Sequence, residues 1–199
     1  MKKLIFTALI LGIVTACSVD NVESDLIPVS GEEVTASDIE CVPDASNPPT
    51  ILGSTWLRTS FIIETDIDGN GDGIFSNELL DESSCGTVIL RFLDNFKADN
   101  PVLNNMYLDV DDDGNGNLSQ RVDCLIGDGL FPFYTQNGNI ISFCYLGQLE
   151  FIGTLSTDGQ TLVFDFPYED LFFTNNSVLK PDGTVEAFQG NGIITYTLQ

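Results

Sequence analysis

The chain has 199 residues, of which 30 are acidic and 7 basic, with no histidine and a formal net charge of −23. A charge of that sign and size repels nucleic-acid phosphate, so nucleic acid is excluded as a partner. The missing histidine removes Ser-His-Asp and Cys-His catalysis and every His-ligated metal, while 43% hydrophobic residues, 14 Phe among them, suffice for a real core.

Residues 1–17, MKKLIFTALILGIVTAC, open with Lys2 and Lys3 and continue with an apolar run from Leu4 to Val14. That run is too short to span a bilayer, which takes about 20 residues. It has the layout of a signal peptide, and the small residues Val14-Thr15-Ala16 before Cys17 resemble the lipobox of bacterial lipoproteins. The resemblance implies cleavage after residue 16 and acylation of Cys17, with lipid as the membrane attachment. Ser18 rather than Asp at the next position implies an outer-membrane lipoprotein. Asp20, Glu23 and Asp25 loosely resemble the acidic signals that send some lipoproteins to the cell surface. The chain from Cys17 onward keeps 5 basic residues against 30 acidic ones, a formal charge of −25.

Residues 17–50 scatter acids, Ser and Pro without helical or strand period. They are expected to form a disordered, acidic tether. From Ile51 to Gln199 short apolar runs alternate with Gly, Asn and Asp. Strands are expected over 55–66, 87–94, 105–111, 118–125, 131–135, 139–146, 148–156, 160–166, 169–174 and 185–198, with a single helical turn at most over 77–82. Asn137-Gly138, Asp158-Gly159 and Pro181-Asp182-Gly183 mark turns. Val88, Leu90 and Phe92 share one strand face, as do Ile194, Tyr196 and Leu198. About ten short strands with frequent turns predict an all-β antiparallel barrel or sandwich.

The segment ILGSTWLRTSFIIETDIDGNGDGIFSNELLDESSC resembles the opening of small bacterial lipoproteins with a lipocalin-like domain, whose first strand carries a G-x-W-type motif, here Gly53-Ser54-Thr55-Trp56. The later hairpins GQLEFIGTLSTDGQTLVFDF and NGIITYTLQ resemble theirs as well. The resemblance departs at an extra residue between Gly53 and Trp56, and over the long acidic stretch 100–129. It implies an up-and-down, lipocalin-like barrel of about eight strands spanning 51–199, with Trp56 plugging one end. Such barrels either hold a small apolar ligand or are filled by their own side chains.

Two stretches carry metal chemistry. Asp66, Asp68, Asn70 and Asp72 alternate before glycines, and Asp109, Asp111, Asp113 and Asn115 repeat the arrangement 43 residues later. Alternating oxygen ligands on a tight Gly turn suit calcium. Neither copy supplies the closing bidentate Glu: the twelfth position is Asn77 or Leu79 in the first and Gln120 in the second, although Glu78 and Asp81 stand close in sequence. Calcium is the one cofactor the motifs point to, at an affinity of about 10⁻⁴–10⁻³ M; polar turns that use Gly, Asn and Asp for positive φ are the plainer alternative.

Cys41, Cys85, Cys124 and Cys144 remain after Cys17, an even number that suggests two disulfides with three pairings open, Cys85–Cys124 with Cys41–Cys144 being preferred. Glu64, Glu150, Asp165 and Glu169 lie on or beside expected strands, but nothing in sequence pairs two of them for glycan hydrolysis. The expected function is therefore non-catalytic: binding of a small apolar ligand or a surface partner by a membrane-anchored barrel. The alternative is a calcium-stabilised structural or display module with a filled core. A carboxylate-based glycan hydrolase is the remote third reading.

Overall fold

The computed structural model describes residues 41–99, 106–124, 131–167 and 176–199. Cys17 and its leader, the tether as far as residue 40, Glu169 and the expected strand 169–174 lie outside the described residues. Among the described residues there are thirteen strands and no helix: β1 Thr55–Ile67, β2 Ser76–Glu78, β3 Ile89–Phe92, β4 Ala98–Asp99, β5 Met106–Asp112, β6 Leu118–Cys124, β7 Phe133–Asn137, β8 Ile140–Tyr145, β9 Gln148–Leu155, β10 Thr161–Phe166, β11 Ser177–Leu179, β12 Val185–Ala187 and β13 Gly192–Leu198.

Eight of them form an antiparallel, nearly closed barrel in the order β4-β3-β1-β13-β10-β9-β8-β7, with β2 attached to β1. Chain neighbours pair up and down, and the first strand pairs with the last, the up-and-down layout that the family resemblance implies. The seam between β4 and β7 is the thinnest join. It consists of a bridge between Lys97 and Phe133, with the Ala98 N–H donating to the Pro132 carbonyl at 2.9 Å and the Tyr134 N–H to the Phe96 carbonyl at 3.0 Å.

Two hairpins interrupt the meander. β5–β6 lies between β4 and β7, and β11–β12 between β10 and β13. The expected strands 105–111 and 118–125 thus exist as a separate hairpin rather than as staves of the barrel. The single strand expected over 185–198 is two, because the chain leaves β12 at Ala187 and turns through Gly190-Asn191 before β13. Over 77–82 only the second half is a turn, since Ser76–Glu78 pairs with β1.

Alternation in β1 explains both its burial and its bulge. Trp56 and Arg58 face inward, then the register slips between Arg58 and Ser60, and Phe61, Ile63 and Ile67 take the inward positions. One extra residue in an antiparallel strand reverses the parity that follows it. Without that slip, Phe61 and Ile63 would face water. Inward side chains then align in rows across the sheet. Arg58 lies opposite Tyr196, Tyr196 opposite Leu162 and Leu162 opposite Leu155, while Phe61, Ile194 and Phe164 form the neighbouring row.

Both disulfides join the preferred pairs, Cys85–Cys124 and Cys41–Cys144. The first ties the chain ahead of β3 to the inserted hairpin. The second fixes the last ten residues of the segment expected as tether to β8. That stretch also touches β7, where the Gln136 Oε1 accepts from the Thr50 N–H at 2.7 Å.

Candidate functional site

The barrel interior is aromatic. Trp56 is buried at one end, its Nε1–H donating to the Ser54 Oγ at 2.7 Å, which is the position the family resemblance implies for it. Its ring meets Phe92 edge-on at 6.5 Å, and Phe92 lies 4.7 Å from Tyr134 and 5.7 Å from Phe143. Phe143 continues to Phe151 at 4.6 Å and to Phe164 at 5.6 Å, and Phe164 to Tyr196 at 5.9 Å. Phe92 on β3 and Phe143 on β8 belong to strands with β4 and β7 between them. Their contact therefore crosses the interior rather than running along the wall. Edge and offset contacts at these separations are the favourable geometries for rings.

One cation sits in this setting. Arg58 is 5% exposed, and its guanidinium carbon lies 5.8 Å from the centre of the Phe61 ring. Burial lowers its pKa, while Tyr196 and Glu78 act to raise it. The Tyr196 hydroxyl is buried without a hydrogen-bond partner among the described residues. Burial pushes it far above the ordinary phenol range, against the opposing charge of Arg58. The alternation Trp56-x-Arg58 was the sequence signal for an inward-facing arginine.

In the first acidic loop, Asp68, Asn70 and Asp72 share one tight turn. The Gly73 N–H donates to the Asp68 Oδ2 at 3.1 Å, the Asp72 N–H to the Asn70 Oδ1 at 2.9 Å and the Ile74 N–H to the Asp72 Oδ1 at 2.7 Å. Asp66 stands apart, exposed on β1. The Asp68 Oδ1 is buried with no hydrogen-bond partner among the described residues. Glu82, which the sequence did not single out, anchors the loop: its Oε2 accepts from the Gly69 N–H at 2.9 Å and the Asn70 N–H at 3.4 Å. Glu78 faces elsewhere, accepting from the Phe61 N–H at 2.7 Å, the Leu80 N–H at 3.2 Å and the Ser60 hydroxyl.

The second acidic loop divides its candidates. Asp109 and Asp111 lie on β5 and pair with Arg121 of β6 at 3.3 and 2.8 Å, and Asp123 contacts the same guanidinium. Desolvation opposes the charge on Arg121, yet Asp123, Asp111 and Asp109 together raise its pKa. Asp113 instead closes the hairpin turn. Its carboxylate accepts from the Asn117 side chain at 2.7 Å and from the Asn115 N–H at 2.8 Å, bonds that lower its pKa. The four positions do not converge. Among the described residues, no three Asp, Glu, His or Cys side chains are grouped to hold a metal ion.

The strand carboxylates are also dispersed. Glu64 binds Asn191 through both oxygens, at 3.0 and 3.1 Å, while Glu150 and Asp165 are exposed on β9 and β10. Two buried amides join the inserted hairpins: Gln120, which the sequence offered only as the twelfth position of the second acidic loop, and Asn176, which it did not single out. The Asn176 Oδ1 accepts from the Leu108 N–H at 2.5 Å, and Gln120 bonds both Leu179 and Ser177. For Gln120 the signal was a polar residue at an inward position of β6; Asn176 stands just ahead of β11 and carried none.

Comparison with known proteins finds no family profile, no curated protein and no solved structure that matches the chain.

Proposed function

We propose that this protein is a lipid-anchored, non-catalytic recognition module whose barrel is a scaffold and whose exterior loops and hairpins meet a surface partner. The observation that carries this reading is the run of ring contacts from Trp56 through Phe92, Phe143 and Phe164 to Tyr196. Rings that touch across the interior occupy the space a small apolar ligand would need. The test is a titration of the full chain with an apolar fluorophore that brightens in dry pockets. The module reading predicts no saturable enhancement. A one-to-one, saturable enhancement would return the small-ligand reading to first place. Membrane attachment is tested separately: Cys17→Ala should release the protein from membranes, and retention would overturn the anchor.

The Asp68–Asp72 loop supports a second reading, a calcium-stabilised display module. Its support is the buried Asp68 Oδ1, without a partner among the described residues, beside Asn70 and Asp72 on one turn. A cation there would satisfy that oxygen. Millimolar calcium should then raise the melting temperature over EDTA, and the rise should vanish in an Asp68→Ala/Asp72→Ala variant. An equal melting temperature in both conditions would leave the loop as a solvated turn.

A further inference from the structure

We propose that the rim of the barrel bearing Val42, Phe131, Phe133 and Leu146 rests on the phospholipid surface that holds the Cys17 lipid, an inference that depends on the lipid-anchor reading. Leu146 is 86% exposed and adopts φ +51° at the tip of the β8–β9 hairpin, followed by Gly147 at φ +80°. A two-residue turn with both φ values positive favours Asn-Gly, and leucine there is conformationally costly. The side chain gains no burial inside the fold in return, so its use lies outside the molecule.

Leu146 has apolar company. Phe131, just ahead of β7, and Phe133, its first residue, are 51% and 41% exposed, alternating with buried Pro132 and Tyr134. Phe133 pairs in register with Cys144, two residues before Leu146. Cys144 is disulfide-bonded to Cys41, which brings Val42, 66% exposed, to the same rim. Lys97, one of five basic residues after Cys17, lies 5.3 Å over the Phe133 ring. Exposed aromatics beside a long-stemmed cation suit the boundary between acyl chains and phosphate.

The entry point of the chain selects the occupant. The described fold begins at Cys41, on this rim, only 24 residues after Cys17. A connection of that length reaches about 80 Å at most. It therefore holds the rim near its own bilayer at an effective concentration in the millimolar range, where a weak apolar contact is sufficient. The β1–β2 loop, with Asp68 and Asp72, leaves the same end of the barrel, so the surface that fits is zwitterionic rather than anionic.

The experiment places a fluorescent label on Leu146→Cys, or on Thr157→Cys at the far end of β9, in the full acylated chain bound to phosphatidylcholine vesicles that contain a nitroxide lipid. Docking predicts quenching about twofold or more greater at 146 than at 157, since an interfacial group lies within about 10 Å of the headgroups. Equal quenching on chains that sediment with vesicles overturns docking and leaves the anchor intact. Chains that do not sediment overturn the anchor, and docking with it. A concentration-dependent dimer that shields the 146 label without quenching assigns the rim to a second copy and also overturns the proposal.

Discussion

Gln120 of β6 holds Leu179 of β11 by its backbone: the Gln120 Oε1 accepts from the Leu179 N–H at 2.7 Å, and its Nε2 donates to the Ser177 carbonyl at 3.2 Å. Gln120 is 7% exposed. One side chain thus substitutes for a strand pairing between the hairpins, reaching partners 57 and 59 residues away in sequence. Gln120→Leu keeps the volume but strands a buried N–H, which costs about 1–3 kcal/mol. The denaturation midpoint should fall with an unchanged slope, and amide exchange in β11 should quicken before that in the barrel. Uniform quickening would place the loss elsewhere.

Gly69 marks a second close approach. A Cβ there would stand 2.5 Å from the Val122 Cγ2 and 2.7 Å from the Glu82 carbonyl oxygen. The valine can yield but the carbonyl cannot, so Gly69→Ala is expected to cost about 1–3 kcal/mol through overpacking. Gly116 has φ +87° and open space around it, so Gly116→Asn meets no clash and costs only the backbone strain that asparagine tolerates best, a smaller loss than at Gly69. Equal losses at the two sites would show that the first loop is not packed on β6.

Much of this architecture was legible in the sequence, for reasons that differ by element. The barrel staves could be read because Val88-Leu90-Phe92 and Ile194-Tyr196 alternate cleanly and because Asp158-Gly159 punctuates its hairpin. The slip at Thr59 was not readable: a bulge reverses parity without changing composition, and it is what sends both Arg58 and Phe61 inward. The inserted hairpin was not distinguishable from staves because β5 and β6 alternate as barrel strands do, and only non-local contacts through Asn176 and Gln120 set them apart. For the acidic repeats, spacing showed which residues carry oxygen but not which cation they meet. Asp109 and Asp111 meet Arg121.

The two disulfides close loops of very different length, with sequence separations of 39 and 103 residues. Chain entropy assigns them up to about 4 and about 5 kcal/mol respectively. Cys41→Ser/Cys144→Ser should therefore lower the denaturation midpoint at least as much as Cys85→Ser/Cys124→Ser. A negligible effect of the first pair would mean that residues 41–50 contribute little to holding the fold together.

Alkaline stability follows from Tyr134. Burial first, and the nearby Asp94 charge second, push its hydroxyl up to about 12 from an ordinary value of 10.0. A phenol whose folded pKa is raised favours the protonated form, so its stabilisation is complete below pH 10 and is lost as pH climbs toward 12. The full loss is about 2–3 kcal/mol, and ionisation also removes the bond from the Tyr134 Oη to the Leu93 carbonyl. At the acidic end, hydrogen bonds from Ser156 and Thr184 lower Asp158 and Asp182, so stability should also decline as pH falls below the ordinary carboxylate range. Denaturation midpoints that stay level from pH 9 to 12 would contradict the burial of Tyr134.

The filled interior is the central claim, and xenon binding followed by NMR tests it most directly. Phe143 is fully buried and touches Phe92, Phe151 and Phe164, so Phe143→Ala should open a dry apolar cavity at a cost of about 3–5 kcal/mol. The account predicts that xenon perturbs interior resonances in Phe143→Ala and leaves those of the wild type unmoved. Saturable perturbation of Phe92, Phe164 and Tyr196 in the wild type would mean that the barrel is hollow and built to hold a ligand.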